Sequence, residues 1–189
     1  MNIIDHLELY LGEIDVGYQG DDSTPAGMQV VRFGPNSPFE GATTLVTLGL
    51  CRSHLSQPTG AALHQELLLH FRNDRQPGNA PAILFQVSAE LIRRGVGLHR
   101  GDVLGPRGSL FGRGHASALY AAAPMLLPDD FAVYREGEVS VVLTWLVPIT
   151  EDEAAFVRSH GCDAFESVVV DNDADLTNVD RPSVFDRQT

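Results

Sequence analysis

The chain has 189 residues, 43% of them apolar and 20% charged, which is the balance of one ordinary globular domain. Its formal net charge of −12 argues against nucleic acid or an anionic membrane as a partner, because phosphate binding needs a basic face, but it suits a basic protein partner. No apolar stretch reaches about 18 residues, so no membrane span is predicted. The first 22 residues carry six acids and no arginine, so no signal peptide is predicted either.

The cations and cysteines restrict the chemistry further. All thirteen cations are arginine, and the lack of lysine excludes a Walker phosphate loop and any lysine nucleophile or base. The two cysteines, Cys51 and Cys162, are too few for a disulfide framework and predict reduced thiols. We therefore expect a cytoplasmic protein.

The first predicted element is an amphipathic helix that stops at Gly12. Its apolar residues recur at helical spacing and share one face: Ile3, Ile4, Leu7 and Leu11. His6 lies off this stripe and is expected to be solvated. An acidic, glycine-containing loop is expected to follow through Gly27.

Three strands and a long helix are predicted next. The strands cover residues 28–33, 43–50 and 64–71, which are rich in β-branched or apolar residues. The helix begins after Asn79, a candidate cap, and ends before Gly95.

The second half is predicted to return to strands and then to end in helices. A strand is expected at residues 118–124 and a hairpin at 131–135 and 139–147. Thr150 and Glu153 form a capping box for a helix to about His160, and a short helix follows at 163–170. Because strands and helices do not alternate regularly, we predict an α/β (α+β) sandwich with a mixed, largely antiparallel sheet flanked by helices.

Residues 100–115, "RGDVLGPRGSLFGRGH", form an Arg/Gly-rich loop in an acidic chain. One hypothesis is an anion site, with the following candidate residues: Arg100, Asp102, Arg107, Arg113 and His115. Its glycine spacing fits neither the dinucleotide fingerprint nor the Walker pattern. The alternative is a turn-rich connection in which Asp102 pairs with an arginine and organises the loop.

Other candidate catalytic or metal residues have simple structural explanations. His64, Glu66 and His70 share one strand face, and we interpret them as a polar outer face of the sheet. Cys51 and Cys162 are interpreted as structural. No catalytic residue, metal site or cofactor is predicted.

The chain as a whole resembles the suppressor of fused domain family in its stand-alone bacterial form. The resemblance is carried, in order, by "TTLVTLGL" with "QELLLHFR", "PAILFQVSAELI", "RGDVLGPRGSLF", "LYAAAPMLLPDDFAVY", "VVLTWLVPITEDEAAFVRSHG" and "DRPSV". It covers about residues 28–184 and implies an α/β sandwich. We assign residues 1–170 to this domain, and the acidic, polar composition of residues 171–189 predicts a C-terminal arm. In the eukaryotic member, this domain is half of a two-domain clamp that grips a transcription-factor peptide as an added strand.

The resemblance also implies where a partner would bind. The eukaryotic peptide-binding loop corresponds to residues 52–62, and the candidate contacts there are Arg52, His54, Thr59 and Gly60. This version is shorter and lacks the acidic and aromatic residues, so an exposed strand edge and the loop beside it are what we expect to remain.

Two functions follow, with a minor third. The first is a non-enzymatic protein-binding module, an immunity protein that neutralises a cognate toxin, as is proposed for bacterial family members. Its partner would be a basic toxin domain or an extended peptide. The alternative is a small-anion-binding enzyme or sensor that uses loop 100–115. Homodimerisation through an exposed strand edge is the third.

Overall fold

The centre of the fold is a nine-stranded sheet, seen in a computed structural model that describes residues 2–22, 24–57 and 59–186. The strands run β1-β2-β3-β5-β9-β7-β6 across the sheet, while β4 pairs with β5 and β8 with β9. All described strand pairs are antiparallel except β5 with β9, so the predicted mixed, largely antiparallel sheet is confirmed. The strands are β1 Ile14–Gln19, β2 Gln29–Phe33, β3 Ala42–Leu48, β4 Leu55–Ser56, β5 Ala62–Arg72, β6 Val103–Leu104, β7 Ala118–Ala122, β8 Val133–Glu136 and β9 Val139–Ile149.

Helices cover both faces of this sheet. One face packs against α2 (Ala80–Arg94), around Leu84 and Leu67. The opposite face packs against α1 (Ile3–Leu11), α3 (Glu151–His160) and α4 (Cys162–Asp171). The central strands β3, β5 and β9 are mostly buried because both faces of the sheet are covered.

Strand β9 brings distant parts of the chain together. Its first half pairs with β8 and its second half with β7, and its other edge pairs in parallel with β5. At one position this places three side chains in a row across the sheet, since Tyr134 pairs with Val141 and Val141 with His64.

Side chains cap the N-termini of α1 and α3 but not that of α2. Asn2 accepts from the Ile4 and Asp5 amides at α1, and Thr150 with Glu153 forms the predicted capping box at α3. The prediction that Asn79 caps α2 is wrong, because its side-chain amide instead donates to the Leu110 carbonyl at 2.9 Å.

Two further expectations for the N-terminal half are wrong. The acidic loop that was predicted to run through Gly27 contains β1, whose alternating exposure suits an edge strand. His6 is buried rather than solvated. Its Nε2 lies 3.1 Å from the Phe131 carbonyl, and its ring stacks 5.8 Å from that of Phe131, so a polar side chain that finds both partners is buried at low cost.

The segment after α4 lies against the domain. Arg181 is buried and forms a two-pronged ion pair with the fully buried Glu153, at 2.6 and 2.9 Å. Val179 joins the core on the α2 side. Residues 187–189, the end of the predicted arm, lie outside the described residues.

Candidate functional site

The histidine–glutamate row on β5 is not a polar outer face. Glu66 and His70 are completely buried, so that interpretation is wrong. His70 lies 2.8 Å from the Thr44 hydroxyl and 5.0 Å from the Trp145 ring, and burial lowers its pKa to about 3. It is therefore a neutral core histidine.

Glu66 holds the segment that follows β3. Its Oε1 accepts from the amides of Gly49 at 2.8 Å and Cys51 at 3.1 Å, and its Oε2 accepts from the Thr47 hydroxyl at 2.5 Å. Gly49 has a φ of 105°, and a Cβ there would lie 2.6 Å from the Gly27 carbonyl oxygen. Burial raises the pKa of Glu66, and the three hydrogen bonds oppose that rise.

This segment is a turn of 3-10 helix, Leu50–Arg52. Its Cys51 carbonyl determines which ring nitrogen of His64 carries the proton. The Nδ1 of His64 lies 2.7 Å from the Cys51 carbonyl oxygen, so Nδ1 carries the proton and Nε2 of the neutral ring is left as an acceptor. Burial, with the charge of Glu66, raises the pKa of the Cys51 thiol to about 12. A thiol in that state is a poor nucleophile.

His64 and the 3-10 turn form one side of a cleft of about 640 Å³. We call it the α1 cleft, because the first turn of α1 covers it. Ile4 and Val139 are 39% and 43% exposed at its rim, so they present apolar surface to solvent there. Its lining residues are Ile3, Ile4, Gly27, Gln29, Leu48, Gly49, Cys51, Arg52, His64, Tyr134, Glu136, Val139 and Val141.

Of the four predicted partner-binding residues, one lines this cleft and three do not. Arg52 lines it, whereas His54, Thr59 and Gly60 do not. Gly60 lies in a turn, with a φ of 83° and its amide donating to the Gln57 carbonyl at 2.8 Å. Pro58, inside the predicted loop, lies outside the described residues.

The candidate anion residues do not converge. Arg100 contacts Asp163 and Glu166 of α4 at 2.7 and 2.6 Å. Arg107 contacts Glu90 of α2 at 2.7 Å. These guanidinium groups are therefore engaged by carboxylates of different helices.

The other candidate anion residues of the Arg/Gly-rich loop do not form a shared site either. Arg113 lies 3.8 Å from Asp180 and donates to the Arg75 carbonyl at 3.0 Å, while His115 is exposed. Asp102 accepts from the His99 amide at 2.8 Å and so helps to organise the loop. Among the described residues it pairs with no arginine, and that part of the expectation is wrong.

Sequence reasoning missed most of the α1 cleft. Its walls include α1 and the β8–β9 hairpin, which are far apart in the chain, and no motif links Ile4 with Glu136 and Val139. The available signal was indirect: Glu136 and Val139 lie at a predicted hairpin, where strand ends leave side chains open to solvent.

Comparisons with known proteins agree with this fold. A model of the family described as Suppressor of fused protein (SUFU) matches residues 24–182. A structure described as a suppressor of fused homologue from Neisseria gonorrhoeae FA 1090 is similar, with a TM-score of 0.74 and 17% identity over 98% of this chain and 96% of that one. No curated protein matches the chain.

Two further structures are similar as well. A structure of the Sufu–Fu complex gives a TM-score of 0.73 and 18% identity over 97% of this chain and 91% of that one. Drosophila Suppressor of Fused gives 0.70 and 19% over 97% of this chain, which spans 50% of that protein. Among the described residues, no helix is long and apolar enough to cross a bilayer. The family match covers most of the sequence, and the chain belongs to the suppressor of fused family.

Proposed function

We propose that this chain is a non-enzymatic protein-binding module of the cytoplasm, and that its partner covers the α1 cleft. The observation that carries the proposal is the cleft itself, an open and largely apolar concavity with Ile4 and Val139 exposed at its rim. Apolar surface of this kind is stabilised when a partner covers it. The similar Sufu–Fu structure is a complex between proteins, which supports a binding role.

The finer proposal is an immunity protein that neutralises a basic toxin domain. The net charge of −12 supports it, because an acidic surface accelerates association with a basic one. The unreactive Cys51 thiol and the neutral core His70 support binding rather than catalysis.

Co-expression with a toxin domain encoded beside this gene tests the proposal. We expect a complex that survives gel filtration and protects cells from the toxin. Its association rate should fall steeply between about 20 mM and about 300 mM salt, because salt screens the attraction. A purified toxin domain that forms no complex with the folded chain at low salt would contradict the proposal.

The first and second turns of α1 offer a matched pair of variants. Ile4 lines the cleft, whereas Leu9 is 68% exposed on the same helix away from it. Ile4→Ser should weaken the complex about ten-fold, as expected for an apolar contact at an interface centre, and Leu9→Ser should leave it nearly unchanged. Equal effects of the two variants would exclude the cleft as the binding face.

The other predicted functions have less support. Carboxylates engage the arginines of loop 100–115, so no observation favours an anion-binding enzyme or sensor. A homodimer would use the open edge of β1, but a bulge between Ile14 and Val16 interrupts that strand. Edge bulges disfavour strand pairing, and light scattering tests the oligomeric state directly.

A further inference from the structure

His64 presents a hydrogen-bond acceptor in the lining of the α1 cleft. The Nδ1–H of His64 is used by the Cys51 carbonyl, which leaves the Nε2 lone pair on a residue that lines the cleft. Within the part of the chain that the structure describes, no side chain or amide donates to that Nε2. A ligand group that meets His64 here must donate a hydrogen bond.

Carboxylates stand on the β8 side of the same cleft. Glu136 and Tyr134 are two residues apart on β8, so both side chains project from the same face of the strand. Burial, followed by the charges of Glu136 and Asp5, raises the pKa of Tyr134. Glu66 adds a further acidic group beneath the cleft floor.

Arg52 is the one cation among the described residues that line the cleft, and it lies on the opposite side, in the 3-10 turn. Between Arg52 and β8 the walls are apolar, formed mainly by Ile4, Val139 and Val141. An alkyl chain can lie along these walls while its charged end reaches the β8 side.

We propose that the α1 cleft receives an arginine or lysine side chain of the protein partner. The alkyl stem packs on Ile4 and Val141, and the cationic head donates to Glu136 on the β8 side. The proposal rests on the proposed function and adds the chemistry of the residue that anchors the partner.

Small probes test this without the partner. The probe is N-acetyl-arginine N-methylamide, compared with the norleucine and glutamate analogues, titrated at low salt while the backbone amide resonances of the chain are followed. We expect the arginine probe to shift the amides of Ile4, Val139 and Val141, the norleucine probe to do so more weakly, and the glutamate probe not at all. Equal binding of all three probes, or tighter binding of the glutamate probe, would overturn the proposal.

Variants that remove a single charge test whether the cleft prefers a cation or an anion. Glu136→Gln should weaken binding of the arginine probe about three-fold, and its matched control, Glu138→Gln in the same hairpin but outside the cleft lining, should not. Arg52→Gln should strengthen binding about two-fold, because it removes a like charge, whereas Arg135→Gln outside the lining should leave it unchanged. Weaker binding to Arg52→Gln would show that the cleft selects an anion.

Binding of the toxin domain separates this proposal from the proposed function. A complex with the toxin domain that tolerates Glu136→Gln and Arg52→Gln alike would reject the arginine or lysine anchor while leaving the proposed function intact. A probe that binds as expected, in a chain that binds no toxin domain, would reject the proposed function instead.

Discussion

The α1 cleft and the Arg/Gly-rich loop differ in how their polar groups are satisfied. In the loop, Arg100 is held by Asp163 and Glu166, and Arg107 by Glu90. In the cleft, Arg52 forms no ion pair with any described residue, and two large apolar side chains stay partly exposed. The charged residues that cluster in the sequence of the Arg/Gly-rich loop are therefore used for contacts within the domain. The α1 cleft, which no sequence motif marks, is the surface left open. Side chains that lack a partner within the domain are better guides to a binding surface than a segment whose composition is merely unusual.

The largest effect is expected at Glu66, the buried carboxylate that holds the 3-10 turn beside the cleft. Glu66→Ala would leave the amides of Gly49 and Cys51 and the Thr47 hydroxyl without their acceptor. Because unsatisfied buried donors are costly, we expect the free energy of unfolding to fall by about 2–4 kcal/mol, measured by urea denaturation. A loss below about 0.5 kcal/mol would mean that Glu66 does not hold the 3-10 turn.

The pH dependence of stability is a second test of the role of Glu66. The folded-state pKa of Glu66 is raised above its unfolded value, so the folded protein binds this proton more tightly than the unfolded chain does. The contribution of Glu66 is therefore fully present below its ordinary pKa and is lost as pH rises through the raised value. Across that range wild type should lose stability relative to Glu66→Gln, which cannot ionise. Parallel pH profiles for the two proteins would contradict this assignment.

The smallest expected effect compares one arginine from each region. Arg100→Ala removes contacts to Asp163 and Glu166 and should lower the free energy of unfolding by up to about 1 kcal/mol, since the side chain is half-exposed and screened. Arg52→Ala should change it by less than about 0.3 kcal/mol, because no ion pair is lost. Thermal denaturation of both variants at matched salt measures the difference, and a larger effect at Arg52 would reverse the contrast.

Much of the fold could be predicted from local pattern. The capping box at Thr150, the stripe of α2 and the hydrophobic strands are local signals, and the family resemblance supplied the order of the elements. Buried polar residues could not be predicted in this way. Whether His6, Glu66 and His70 face solvent or core depends on which helix covers that face of the sheet, and this is settled by tertiary packing rather than by residue type.

The candidate site was predicted less well, for a related reason. Arg52 was found because the family resemblance pointed to its loop, but its neighbours in the cleft come from the first helix and from a hairpin far along the chain. Pairing of β5 with β9 brings these elements together, and sequence spacing carries no information on that pairing. The charges of the Arg/Gly-rich loop were visible in the sequence, but their partners on α2 and α4 were not.

The parallel pairing of β5 with β9 also has a consequence for protein synthesis. A nascent chain that has emerged only as far as β5 carries His64 and Ile4 but neither Tyr134 nor Val141, so one wall of the cleft does not yet exist. The remaining wall arrives only when the final strands are translated and dock. The two walls of the cleft therefore meet only after β8 and β9 have been translated and β9 has paired with β5.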